Sequence, residues 1–153
     1  MTIRRRSLWA LVFAVTAFAS LVTLSFVATP VKFLAQEVPI AHLLAVGRVT
    51  FRASLGVEIA LLAALVITAT GQARWLTCCA AAALAFQWLA LMPELDERTL
   101  ARMASSVLAP SSLHQWWIVL DVVKLSIYAL ISGIVGRNLL RIETLTERTV
   151  QNK

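Results

Sequence analysis

The sequence predicts an all-α integral membrane protein, an antiparallel four-helix transmembrane bundle with an amphipathic helix at its outer end. Three observations carry that expectation. Of the 153 residues, 59% are hydrophobic and only 14% charged, and the mean hydropathy is +0.80; a soluble domain carries about a quarter charged residues. Apolar runs of the ~20 residues needed to cross a hydrocarbon core recur along the chain and consume most of it. The cations fall mainly outside those runs: Arg4, Arg5 and Arg6 precede the first, Arg74 lies in a short connection, and Arg137 and Arg141 follow the last. Cytoplasmic flanks of spanning helices are enriched in this way, so both termini are expected in the cytoplasm, with the protein in the plasma (inner) membrane. The same placement assigns the formal charge of +6 to topology and lipid headgroups and not to nucleic acid. A single membrane domain over residues 1–153 is expected, without a soluble catalytic module.

The first span is expected at residues 8–28, between the arginine cluster and Pro30. Ala17-Phe18-Ala19 resembles a signal cleavage site, but the apolar run continues through Leu21, Val22, Leu24, Phe26 and Val27. That exceeds a typical signal core and predicts an uncleaved anchor. Thr16, Ser20 and Thr23 share a face and read as small packing residues. Between Pro30 and Pro39, Lys32, Phe33 and Glu37 read as an interfacial stretch. The second span, 42–69, stops before the turn signal Gly71-Gln72 and is longer than a bilayer requires, which predicts tilt or protrusion.

The third span, 75–92, is alanine, leucine, phenylalanine and tryptophan with one glutamine, Gln87, and Pro93 is expected to end it. The row from Ala80 to Ala83 offers small faces for close helix approach. Adjacent Cys78 and Cys79 are poorly placed to bridge each other and read as reduced, buried small residues. From 95 to 109, Asp96 suits a helix start, and Leu100, Met103, Val107 and Leu108 recur at helical spacing. An amphipathic helix lying on the outer surface fits that pattern. Pro110-Ser111-Ser112 breaks the chain, the final span covers 113–135, and a cytoplasmic tail occupies 137–153.

A charge at mid-bilayer costs ~2.5–3.5 kcal/mol on insertion scales, so charged residues inside spans need partners or a purpose. His114, Trp117, Asp121, Lys124 and Tyr128 follow one another at spacings of three and four, on one helix face. On the second span Arg48 and Arg52 share a face, and Glu58 lies close to it. Matching depth predicts that Glu58 meets Lys124 and that Asp121 meets Arg52 or Arg48, with Tyr128 and Gln87 as further hydrogen-bond partners. Such a cluster can fix helix packing, serve an ion, proton or substrate pathway, or line a ligand pocket. His42 and His114, at the outer ends of their spans, could join Glu37 around a metal or ligate haem. Two imidazoles without recognisable spacing predict no haem and no other cofactor. The sequence carries no glycine-rich phosphate loop, no Cys-x-x-Cys and no Gly-x-Ser-x-Gly.

Pro30-Val31-Lys32-Phe33, the stretch from Gly47 to Phe51, and Leu113-His114 at the head of the last span resemble a family of small four-helix membrane proteins of undefined function. That family bears a distant likeness to CopD-type copper-resistance membrane proteins. The resemblance implies the four-helix fold. Without histidine- and methionine-rich stretches, copper handling does not carry over. The residues favour a non-enzymatic scaffold or accessory subunit in the lipid bilayer, bound to a membrane-protein partner or to its own copies. The alternatives are a small transporter or ion- or proton-conducting protein, and a haem- or quinone-linked redox protein.

Overall fold

The computed structural model describes residues 3–35, 37–104 and 109–151, with the side chains of 143 and 145–151 left aside. Four long helices make up almost all of it: α1 (Ile3–Leu34), α2 (Ile40–Thr68), α3 (Gly71–Met103) and α4 (Leu113–Gln151). Each contains a stretch long and apolar enough to cross a membrane, and the described residues include no strand. The link between α2 and α3 is Ala69 and Thr70 in extended conformation. Gly71 then opens α3 at a φ of 55°, a left-handed value that a side chain disfavours.

Two prolines read as helix ends do not end helices. In α1, α-helical winding over Ile3–Leu21 passes into a π-helical stretch over Val22–Ala28 and continues through Pro30 to a 3-10 turn at Lys32–Leu34. In α3, Gly71–Phe86 passes into a π turn over Gln87–Leu91 and continues through Pro93 to Met103. The physical reason is the same twice. A proline ring collides with the carbonyl four residues back and offers no N–H to it. Widening the turn just ahead of the ring relieves that conflict: the N–H groups of Thr29 and Met92 donate to the carbonyls of Leu24 and Gln87, five residues back. Of the segment expected as a separate surface helix at 95–109, Leu95 to Met103 is therefore the continuation of α3, which over Met92–Met103 packs against α2. Val107 and Leu108 lie outside the described residues.

The helices form a ring in which α1 packs on α2 and α4, and α3 packs on the same two, leaving α2 and α4 across a diagonal. Inward faces repeat at spacings of three and four. On α1 the buried face is Ala10, Ala14, Ala17 and Leu21; on α3 it is Ala73, Thr77, Ala80, Leu84, Gln87 and Leu91. Small side chains there let backbones approach closely. This corrects two expectations. Thr16 and Thr23 point outward because the alanines of α1 take the packing face, and Cys78 and Cys79 are exposed because Thr77 and Ala80 take it on α3. Large apolar side chains such as Trp75, Leu89, Leu130 and Ile67 cover the outer surface of the ring.

Candidate functional site

The inward face of α4 carries Trp117, Asp121, Lys124, Tyr128 and Ile131, one apolar or polar side chain per turn of the ring's centre. Glu58 reaches toward it from α2, and Gln87 from the π turn of α3. Side chains thus bridge the diagonal that the backbones leave open. Lys124 Nζ lies 2.7 Å from Glu58 Oε2 and 3.2 Å from Asp121 Oδ1. Tyr128 Oη donates to Glu58 Oε1 at 2.8 Å. Gln87 Nε2 donates to Asp121 Oδ1 at 2.9 Å and to the Trp117 carbonyl at 3.2 Å. Gln87 Oε1 is buried without a hydrogen-bond partner.

The whole group is sealed: Glu58 is 6% exposed, Asp121 2%, Lys124 1%, and Gln87 and Tyr128 0%. Burial of this degree makes each charge depend on its neighbours, since water cannot compensate a missing partner. With both carboxyls ionised, two negative charges face one ammonium.

The expected meeting of Glu58 with Lys124 is present. That of Asp121 with Arg48 or Arg52 is not. Asp121 is taken by Lys124, less than one turn further along α4, and by Gln87. The two arginines instead bind Asp96, which α3 delivers to the first turns of α2 by winding past Pro93. Arg48 grips Asp96 through Nε and Nη2, and Arg52 Nη2 donates to Asp96 Oδ2 at 2.7 Å. This arrangement leaves the Arg52 side chain 58% exposed on the outside of the bundle. The sequence offers Asp96 as a helix cap and a charge of the outer segment and not as a partner of α2, because a helix stopped at Pro93 cannot bring it there.

Beside this ion pair lies a half-open cavity of about 380 Å³ where the last turns of α1, the first of α2, the end of α3 and the start of α4 converge. Lys32, Arg48, Arg98 and Arg102 line it with one carboxylate, Asp96, and His114 sits on its wall. The Phe51 ring also lines it and packs edge-on against Trp117 at 5.5 Å between centroids. That aromatic pair separates the cavity from the sealed cluster.

His114 therefore belongs to the cavity and not to the cluster, and is exposed, as is His42. Among the described residues, no three His, Cys, Asp or Glu side chains are grouped to hold a metal ion. No family model, curated protein or solved structure matches the chain, so the likeness at Pro30–Phe33, Gly47–Phe51 and Leu113–His114 stays one of short motifs.

Proposed function

We propose that the protein is a four-pass plasma (inner) membrane protein, antiparallel in its helices and cytoplasmic at both termini, that acts as a non-enzymatic scaffold or accessory subunit of a membrane complex. The observation that carries this reading is the mutual satisfaction of Glu58, Lys124, Asp121 and Tyr128 inside a sealed core. With Gln87 of α3 bonded to Asp121, these contacts tie α2, α3 and α4 together and leave the outward apolar faces as the surfaces open to lipid or a partner. Two contacts support the antiparallel arrangement: Arg6 near the start of α1 donates to the Ile67 carbonyl near the end of α2 at 2.9 Å, and Arg48 near the start of α2 holds Asp96 near the end of α3. The arginine distribution supports the placement of the termini.

Purification of the tagged full chain in mild detergent, followed by mass spectrometry, tests the role. A stoichiometric membrane-protein partner or a discrete homo-oligomer is expected. A monomer that moves an ion or solute unaided in vesicles would overturn it in favour of a second reading, a small ion- or proton-conducting protein. That second reading draws on the surplus carboxylate of the cluster and the unpartnered Gln87 Oε1, a place where a proton or a water can bind. An absorbance scan of the same preparation addresses the redox alternative: a Soret band lost in His114→Ala would replace both readings.

A further inference from the structure

The cavity at the end of the bundle stands apart from the sealed cluster, and its charges are not balanced. Four cationic side chains line it against one carboxylate, and Asp96 is already shared between Arg48 and Arg52. Lys32, Arg98 and Arg102 have no carboxylate partner among the described residues; Arg98 donates to the Ala109 carbonyl. Lys32 is the most telling. Its ammonium is partly withdrawn from water, 4.9 Å from the centroid of Phe33 and 6.0 Å from that of Phe51. It lies directly over Gly47 of α2, where any Cβ would collide with Nζ and come within 3.3 Å of Cε. The glycine leaves room for the end of a lysine that pairs with no carboxylate among the described residues. Cations gathered this way favour a counter-anion, and paired guanidinium forks beside an ammonium suit the oxygens of a phosphate.

We infer that this cavity binds a phosphate-bearing anion, the headgroup of an acidic phospholipid seated between Lys32, Arg98 and Arg102. Its size falls in the ~300–1,000 Å³ range of small-molecule sites. Leu44, Phe51, Met92 and Leu95 supply an apolar wall for the glycerol backbone and the first carbons of an acyl chain. Basic pockets between spanning helices recognise acidic lipids by this chemistry. The site also gives a reason for cations at the end of the bundle that the arginine rule would leave poor in them.

The test uses the full-length protein in a neutral mild detergent, titrated separately with phosphatidylglycerol, phosphatidylcholine and sodium phosphate. Thermal unfolding and native mass spectrometry are the readouts. Phosphatidylglycerol is expected to raise the Tm and remain bound, with phosphatidylcholine inert at the same concentration. Lys32→Met and Arg98→Gln should each weaken the phosphatidylglycerol effect about tenfold or more, the scale of one lost charge-assisted hydrogen bond. Lys32→Arg should retain it. Gly47→Ala keeps every charge and shifts only the flexible end of Lys32, so it should weaken binding less than Lys32→Met; Arg98→Gln decides the matter if Lys32→Met does not fold. Protection by sodium phosphate equal to that by phosphatidylglycerol would assign the site to a soluble phosphate in place of a lipid. Equal protection by phosphatidylcholine, or variants that bind as the native chain does, would overturn the proposal.

Discussion

Lys124 holds two carboxylates at once, Glu58 at 2.7 Å and Asp121 at 3.2 Å, in a place water does not reach. Lys124→Met strands both and is expected to destabilise the bundle by ~3–5 kcal/mol, measured as reversible unfolding in mixed detergent. Glu58→Gln combined with Lys124→Met should be milder than Lys124→Met alone, because only Asp121 is left and Gln87 still donates to it. A purely structural cluster predicts that this double variant recovers both folding and activity; a proton pathway predicts recovered folding alone. The Glu58–Lys124 pairing was legible from spacing and depth. The partners of the arginines were not, since Asp96 lies 44 residues from Arg52 on a segment whose path depends on how the chain passes Pro93.

Among the elements, α1 shows how a helix with no interior charge earns a fixed position. Its fully buried positions are alanine until Leu21; Leu11 and Phe13 pack partly buried beside them, and Ala14 is fully enclosed. Ala14→Leu should therefore cost ~1–3 kcal/mol by overpacking, whereas Val15→Leu, on the outward side, should leave the Tm nearly unchanged. A comparable loss in both would mean that α1 does not pack through its alanines. The four apolar helices were readable from run length because the bilayer criterion is a composition criterion. Their ends were harder to read. Proline argues for termination only if the winding ahead of it stays α-helical, and at Pro30 and Pro93 it does not.

For the whole molecule, the ring order places the start of α1 against the end of α2 and gathers four helix ends around the cavity. No single stretch of sequence encodes that cavity; it exists only where Lys32, Arg48, Arg98 and His114 converge from separate helices. Hence Lys32 read as interfacial and His114 as part of the polar stripe. The topology proposed above predicts that single cysteines at positions 2, 72 and 150 label from the cytoplasmic side and one at position 100 from the other, in a background lacking Cys78 and Cys79. Labelling of position 2 or 150 from outside would reverse the orientation and place the cationic cavity in the cytoplasm.

The π turn over Gln87–Leu91 has a mechanical meaning. It acts as a phase adjuster: Gln87, its first residue, engages Asp121 of α4, and Asp96, beyond its end, engages Arg48 and Arg52 of α2. Inserting one alanine after Ala90 would add a residue that the wide turn does not absorb and rotate all that follows by ~100°, the angle of one α-helical residue. Gln87 would keep its grip while Asp96 swung away from the arginines. A double-mutant cycle between Arg48 and Asp96 should then lose its coupling energy in the insertion variant, and one between Glu58 and Lys124 should keep it. The two sites would prove to be meshed like gears, with a single wide turn setting the timing between them.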